Sequence, residues 1–355
     1  MNNNVILKQL FDRRSSSYSY LLFDSQSLQA ILIDPVYERH QRDLSLINEL
    51  NLNLLSCIET HCHADHITGA WLMKHATSCK IAASLRSGIT SLDHPLKDQD
   101  TLSFGQHRLL VRETPGHTDG CISLVLNDEA MVFTGDSLLI RGCGRTDFQQ
   151  GSAENLYHSI KNTLFNLPDH CIVYPAHDYA GRMCSSIGEE KNHNPRIGGD
   201  ANEKDFLGYM ENMQLPHPKQ IDIAVPANLK AGRPNKDQLP IQPDWAPVIT
   251  TFSQILKITP QWVAAHRDQV HILDVRSSEE FNEQNMRIDG AQNIPIDELQ
   301  GRISEIPDDK PIMTFCRSGK RSTLAFTILQ KEGRKKVANI DGGLLRWQEE
   351  GLPTI

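Results

Sequence analysis

Residues 61–66 read His-Cys-His-Ala-Asp-His and follow directly on the apolar run LLSCIE at residues 54–59. A short apolar run bounded by polar residues is typical of a buried strand, and a helical stretch begins near residue 67. Four side chains that can bind a metal therefore leave the end of one strand together. Imidazole nitrogen and carboxylate oxygen suit zinc, iron or manganese, so the stretch predicts a transition-metal site.

Three further polar residues follow apolar runs later in the chain. His117 follows the run LLVRE at residues 109–113. Asp136 follows AMVF at residues 130–133, and His177 follows CIVY at residues 171–174. In open α/β folds, ligands bind at the carboxyl ends of strands, so these exits are expected to converge on one site.

The residues alone leave two metal arrangements open. One arrangement is a two-His, one-carboxylate triad that holds a single iron with His61, His117 and Asp136. The other holds two metals and a bridging hydroxide that attacks a carbonyl. In that case His61, His63 and His117 bind one metal, Asp65, His66 and His177 bind the other, and Asp136 bridges them.

A second candidate site lies near the C-terminus, where PIMTFC at residues 311–316 predicts a strand and residues 321–333 predict a helix. Cys316 ends the strand, and the loop between strand and helix carries several cations. Backbone N–H groups, a helix N-terminus and these cations all favour a thiolate, so Cys316 is predicted to be a sulfur nucleophile. The loop residues after Cys316 are Arg317, Ser318, Gly319, Lys320, Arg321 and Ser322.

The chain has 355 residues with a net charge of -8, enough for two or three domains and unfavourable for nucleic-acid binding. No apolar segment reaches the length of a membrane span, and the 8 cysteines form no regular framework. We therefore expect a cytoplasmic protein with reduced thiols that binds neither nucleic acid nor membrane, and a homodimer is compatible with the sequence. A Pro-rich polar segment predicts a linker at residues 236–255 between domains at residues 1–235 and 256–355.

The first constellation resembles the metallo-β-lactamase superfamily, whose fold is an αββα sandwich. Within it, THCHADHITG (60–69), ETPGHTDGC (113–121), FTGDSLLIRGCGRTDFQQG (133–151) and YPAHDYAG (174–181) resemble the persulfide dioxygenases. This resemblance implies Fe(II), one per chain, bound by His61, His117 and Asp136. It also implies oxidation of glutathione persulfide by O₂ to sulfite and glutathione.

Other side chains near this site receive supporting roles from the same resemblance. His63, Asp65, His66 and His177 are expected to orient the ligands or to bind a second metal. Guanidinium groups pair well with the two carboxylates of glutathione, so Arg141, Arg145 and Arg196 are expected to bind it. Tyr179, two positions after His177, is expected to contribute to the same site.

The second constellation resembles the rhodanese sulfurtransferases, a small parallel α/β fold, through LDVRSSEEF (273–281), IDGAQNIPIDEL (288–299) and NIDGGLLRW (339–347). The resemblance implies sulfur transfer between thiosulfate, glutathione persulfide and sulfite through a persulfide on Cys316. Together, the two resemblances predict a persulfide dioxygenase fused to a rhodanese. The alternatives are a dinuclear thioesterase similar to glyoxalase II with an accessory rhodanese module, or a C-terminal domain that only docks or senses persulfide.

Overall fold

The computed structural model describes residues 4–213, 215–234, 239, 244–284 and 286–355. The chain divides into two compact units, residues 1–239 and residues 240–355. None of the described helices combines the length and the apolar character that crossing a bilayer requires.

Two six-stranded sheets form the first unit, and the strands of the first follow one another in chain order. Its strands are β1 (Val5–Asp12), β2 (Ser17–Asp24), β3 (Gln29–Ile33), β4 (Asn53–Glu59), β5 (Lys80–Ser84) and β6 (His94–Leu96). The neighbours from β1 to β3 pair antiparallel and those from β3 to β6 pair parallel. The crossovers that lead to β4 and β5 each contain an α-helix, which lies over the sheet.

The second sheet runs in the order β12-β11-β10-β9-β8-β7. Its strands are β7 (Thr101–Phe104), β8 (His107–Glu113), β9 (Ile122–Leu126), β10 (Met131–Gly135), β11 (Ile172–Pro175) and β12 (Ser185–Ser186). Only β10 and β11 are parallel, so both of these strands end at the same edge.

Alternating side chains build a four-layer sandwich. On β2, Tyr20 and Leu22 face the second sheet and share a core with Phe104 and Phe133, whereas Leu21 and Phe23 face the helices of the other side. The helices of the unit are α1 (His40–Glu49), α2 (Ala70–Thr77), α3 (Ala153–His158), α4 (Ile187–His193), α5 (Glu203–Glu211) and α6 (Ile221–Asn228). Residues of α1 and α2 cover the first sheet and residues of α3, α4 and α5 cover the second, which confirms the predicted αββα architecture.

The second unit has one sheet in the order β13-β14-β18-β17-β15-β16, parallel except for β13. Its strands are β13 (Ile249–Thr250), β14 (Leu256–Ile258), β15 (His271–Asp274), β16 (Gln292–Asn293), β17 (Ile312–Phe315) and β18 (Val337–Ile340). Its helices are α7 (Pro260–Ala265), α8 (Ser278–Asn282), α9 (Lys320–Lys331) and α10 (Gly343–Glu349). A small parallel α/β domain was predicted, and this is the architecture observed.

The predicted linker at residues 236–255 lies partly outside the described residues. Within its described part, Ala246 and Val248 are buried in the core of the second unit, and β13 pairs with β14. This end of the segment therefore packs into the second unit. The polar composition of the whole segment gave no indication of this packing. The exact domain boundaries stay a prediction.

Candidate functional site

The predicted metal ligands meet where the strands end. His61 lies two residues after β4, and Asp136 directly follows β10. The ligand atoms of His61, His117 and Asp136 all lie within 4.8 Å of one another, and all three residues are buried. One Asp136 oxygen, Oδ2, is 4.0 Å from His61 Nε2 and 3.6 Å from His117 Nε2. These separations are too long for hydrogen bonds, so the three atoms converge on a shared point as metal ligands do.

Both histidines of this set are oriented through their other ring nitrogen. His117 Nδ1 donates to the backbone carbonyl of Arg145 at 2.7 Å, which leaves Nε2 free to bind a metal. His61 Nδ1 lies 3.0 Å from Thr60 Oγ1, and Thr60 donates that hydroxyl to Asp34 Oδ2 at 2.7 Å. Burial lowers the pKa of His61 well below its usual value, which keeps the imidazole neutral, the form that binds metal. The donor set, its tautomers and its burial all fit a bound divalent metal.

Two glycines make room for these ligands. A Cβ on Gly144 would lie 2.4 Å from the Asp136 carbonyl and 2.9 Å from the His117 ring. Gly135 has a φ of 53°, and its Cβ would lie 2.8 Å from Thr60 Oγ1. A larger residue at either position would displace a ligand or its support.

The side chains predicted for supporting roles form a hydrogen-bonded chain. His177 Nδ1 donates to Asp136 Oδ1 at 2.7 Å, and His177 Nε2 donates to Asp65 Oδ2 at 2.9 Å. Asp65 Oδ2 also accepts from His66 Nδ1 at 2.9 Å. Burial lowers the pKa of His177, but the charges of Asp136 and Asp65 outweigh it and raise that pKa well above its usual value. The two carboxylate partners thus favour the doubly protonated form of His177, which balances part of their charge.

His63 lies apart from this chain and contacts two buried carboxylates. Its Nε2 is 3.2 Å from Asp34 Oδ1 and 3.5 Å from Glu59 Oε2. His63, Asp65 and His66 also offer ligand atoms within 4.8 Å of one another, so a second cluster of donors exists beside the first. Asp34 and Thr60 were missed in the sequence, although Asp34 follows β3 as the predicted ligands follow their strands.

A cavity of about 660 Å³ opens onto His61, His117 and Asp136. All four residues expected to bind glutathione line it: Arg141, Arg145, Tyr179 and Arg196. Other cationic residues along its wall are Arg14, Arg182 and Lys219. Lys219 has no ion pair or hydrogen bond within the described part of the chain, and sequence reasoning did not single it out.

The three predicted arginines are all held by protein partners. Arg141 pairs with the buried Glu190, to which its backbone N–H also donates at 2.9 Å. Arg145 Nε and Nη2 each donate to Asp147 at 2.6 Å, and Arg145 Nη1 donates to the Pro216 carbonyl at 2.9 Å.

Arg196 is held by protein contacts, whereas most of the Tyr179 side chain is exposed. Arg196 Nη1 donates to the Cys143 carbonyl at 2.7 Å, and its guanidinium lies over the Tyr209 ring. Tyr179 is 76% exposed and stacks on His177 with ring centroids 6.0 Å apart. Its ring therefore covers His177, the residue that holds Asp136, and also lines the cavity.

In the second unit, Cys316 directly follows β17 and is buried. Its Sγ lies 3.4 Å from the Ser322 backbone nitrogen and 3.3 Å from Ser322 Oγ. Gly319 adopts a φ of 86° in the loop, and the Leu344 N–H donates to the Cys316 carbonyl at 2.9 Å. The loop thus turns a backbone donor and a hydroxyl donor toward the sulfur at the first turn of α9.

The cations of this loop are not equivalent. Arg321 forms a bidentate ion pair with Glu280 at 2.6 and 2.7 Å. Arg317 and Lys320 are exposed and have no ion pair within the described residues. The sequence predicted one cationic cradle of three residues, whereas the structure distinguishes one neutralised arginine from two free cations.

The four-layer fold with its His and Asp cluster defines a metallo-β-lactamase domain, and the second unit defines a rhodanese domain. Family models agree: the metallo-β-lactamase superfamily matches residues 12–177 and the rhodanese-like domain matches residues 259–350. The chain is 51% identical to the mitochondrial persulfide dioxygenase ETHE1 of Bos taurus and 50% identical to that of Homo sapiens. Each match covers 64% of this chain and 89% of the relative.

Solved structures extend the comparison. The crystal structure of ETHE1 from Myxococcus xanthus has a TM-score of 0.62 and 48% identity, and the match covers 64% of this chain and 99% of that one. A metallo-β-lactamase from Staphylococcus aureus has a TM-score of 0.61 at 24% identity over 96% of this chain and 99% of its own, which shows a shared fold alone. The chain therefore belongs to the persulfide dioxygenase family and carries a rhodanese domain at its C-terminal end.

Proposed function

We propose that the first unit is an iron-dependent dioxygenase that oxidises glutathione persulfide. The overall reaction combines one persulfide, one O₂ and one water to give glutathione, sulfite and two protons. The observation that carries the proposal is the convergence of His61, His117 and Asp136 at the base of an open cavity. Iron(II) held by such a triad supplies the redox chemistry that activates O₂ toward a sulfur substrate.

The hydrogen bonds of the neighbouring donors favour one metal over two. A second ion needs Asp65, His66 and His177, but both His177 nitrogens donate to carboxylates and Asp65 Oδ2 already accepts twice. His63 faces Asp34 and Glu59 instead of the Asp136 side. We therefore assign His177 to orienting Asp136 and balancing its charge, Asp65 and His66 to holding His177, and His63 to its contacts with Asp34 and Glu59.

Substrate binding is proposed to use the cations along the cavity. Glutathione carries two carboxylates, which need cationic partners when they leave water. The guanidinium groups of Arg141 and Arg145 are shared with protein acids, so they shape the wall and attract anions at longer range. Lys219, which has no ion pair within the described residues, and Arg196 are proposed to contact the carboxylates, and the exposed Tyr179 to contact the glutathione backbone.

We propose that the second unit transfers sulfane sulfur through Cys316. The thiolate attacks the outer sulfur of thiosulfate, the S–S bond breaks, and sulfite leaves with the bonding electron pair. Cys316 then holds the sulfur as a persulfide until a thiol such as glutathione accepts it. The Ser322 N–H and hydroxyl, both directed at Cys316 Sγ, stabilise the thiolate.

One observation supports a different reaction at the first site. His66 Nε2 is buried without a hydrogen-bond partner, and it belongs to the second cluster of donors. A second metal bound there would make the unit a thioesterase of the glyoxalase II kind that acts on an acylated glutathione.

O₂ uptake distinguishes these functions. Protein purified without oxygen is loaded with either iron or zinc, and each form is given glutathione persulfide. The dioxygenase proposal requires rapid uptake with one sulfite per O₂ in the iron form alone. Hydrolysis of S-lactoylglutathione by the zinc form, with no O₂ uptake by the iron form, would refute it. Transfer of sulfur from thiosulfate to cyanide tests the second unit, since a docking or sensing module would show none.

A further inference from the structure

An ion pair between Glu280 and Arg321 lies beside the sulfur-transfer loop. Arg321 follows Cys316 by five positions, next to the residue whose N–H and hydroxyl face the thiol. Glu280 belongs to a different element, the short helix α8, and reaches across to hold the guanidinium with both oxygens. An acidic residue is unexpected so close to a loop that must attract anions.

Local structure fixes Glu280 in this position. Ser277 and Glu280 form a capping box: the Ser277 hydroxyl accepts the Glu280 N–H, and the Glu280 carboxylate accepts the Ser277 N–H at 3.1 Å. Its hydrogen bonds to Arg321 lower the pKa of Glu280 to about 2, so it remains charged at neutral pH. The same hydrogen bonds, with the nearby charge of Glu280 and of Cys316, raise the pKa of Arg321.

The other charges packed around the loop are already balanced. Asp274 at the end of β15 is buried against Arg276, with Nη2 to Oδ2 at 2.6 Å. Beyond β18, Asp341 pairs with Arg346 of α10 and with Lys257 at 2.9 Å. The net charge seen by an anion entering the loop is therefore set by the free cations Arg317 and Lys320 and by the Glu280–Arg321 pair.

We propose that Glu280 determines the anion selectivity of the sulfur-transfer loop by neutralising Arg321. The inference rests on the proposed sulfur transfer and deepens it. With Arg321 neutralised, the loop presents two free cations at its entrance and none beside the sulfur. It then accepts the terminal sulfur of a persulfide, whose reacting end carries at most one negative charge, in preference to a compact dianion such as thiosulfate. Glu280 is a positioning residue, since it acts on the substrate through Arg321.

The variant Glu280→Gln isolates the charge, because Gln supports a capping box as well as Glu does. The matched control is Glu279→Gln, which removes the same charge from the exposed neighbouring position of α8. We expect Glu280→Gln to lower the KM for thiosulfate by about threefold, the effect of one added positive charge near a partly exposed site, and to change kcat by less than that. Glu279→Gln is expected to leave KM unchanged.

A second readout does not depend on sulfur transfer. Cys316 in the full chain is alkylated with neutral iodoacetamide or anionic iodoacetate, and the rate at the Cys316 peptide is followed by mass spectrometry. The ratio of the iodoacetate rate to the iodoacetamide rate reports the charge around the thiol. It is expected to rise about threefold in Glu280→Gln and to fall by a similar factor in Arg321→Gln, which leaves the acid unpaired. The double variant restores the wild-type ratio, because the ion pair and its neutral replacement carry the same net charge.

The two measurements distinguish failure of the charge effect of Glu280 from failure of the proposed sulfur transfer. Equal alkylation ratios in wild type, Glu280→Gln and Glu279→Gln would overturn the inference, as would a loss of kcat with unchanged KM, the result of a purely structural role. Absence of sulfur transfer in the wild type would overturn the proposed function, and the alkylation ratios would still decide whether Glu280 controls the charge of the loop. If Glu280→Gln fails to fold, a ratio in Arg321→Gln equal to that of the wild type overturns the inference.

Discussion

Thr60→Val tests how the metal ligand His61 is oriented. Thr60 Oγ1 lies 3.0 Å from His61 Nδ1 and donates to Asp34 Oδ2 at 2.7 Å, so the hydroxyl connects the imidazole to a buried carboxylate. Valine keeps the shape and removes both interactions. Outer-shell partners of this kind contribute about 10- to 100-fold to metal affinity, so we expect a loss of at least about tenfold.

The same substitution should also destabilise the first unit. Asp34 keeps the Thr60 backbone N–H at 2.7 Å and loses the hydroxyl, which costs about 1 to 3 kcal/mol for a buried charged acceptor. Metal affinity is measured anaerobically by competition between the protein and a chromogenic chelator for Fe(II), and stability is measured by urea unfolding of the metal-free protein.

Thr114→Val is the matched control for this prediction. Thr114 is equally buried, and its hydroxyl contacts Ser123 Oγ at 2.9 Å and Ser137 Oγ at 3.1 Å instead of a predicted ligand. It should lose comparable stability and keep its affinity for metal. Wild-type metal affinity in Thr60→Val, or an equal loss in both variants, would refute the view that the Asp34–Thr60 pair positions His61.

Three further results are expected. Gly144→Ala should weaken metal binding by about tenfold or more without unfolding the protein, because its Cβ would lie 2.9 Å from the His117 ring and 2.4 Å from the Asp136 carbonyl; the chelator competition measures this loss. Cys316→Ser should abolish sulfur transfer from thiosulfate to cyanide and leave O₂ uptake intact, whereas chelation of the metal should do the reverse; loss of both activities in folded Cys316→Ser would contradict separate sites. Asp24→Ala should lower the free energy of unfolding by about 2 kcal/mol at neutral pH, because three backbone N–H groups led by that of Gln106 lower the pKa of Asp24 from 3.8 to about 2. That stabilisation is complete above pH 3.8 and is lost as the pH falls through about 2, so urea unfolding of wild type and variant should converge at low pH.

The sequence predicted the features that depend on local pattern. Apolar runs followed by a polar residue located β4, β10, β11 and β17, and the rule that ligands gather at strand ends placed the first-site residues together. The structure also brings Cys316 to the start of a helix, α9, that begins one residue before the predicted position. These features are predictable because a strand end and a helix start are each determined by a few neighbouring residues.

The ion-pair partners of the arginines could not be predicted from the local sequence pattern. Arg141 and Glu190 are 49 positions apart in the chain, and Arg321 and Glu280 are 41 positions apart. Nothing in the local sequence indicates that these arginines are neutralised, because the pairing depends on how distant segments pack. The predicted arginines line the cavity and the sulfur-transfer loop, but they carry fewer free charges than the sequence suggested.

The proposal of one metal at the first site rests on the same distinction. A list of donor residues permits one ion or two, since every histidine and carboxylate of a dinuclear site is present. The one-metal and two-metal alternatives differ in whether each donor is free to bind a metal or is already engaged in a hydrogen bond. A His177 that donates from both nitrogens cannot bind a metal without giving up one of its carboxylate partners. We propose a mononuclear site on the basis of these hydrogen bonds, and the ligand motif alone does not contain that information.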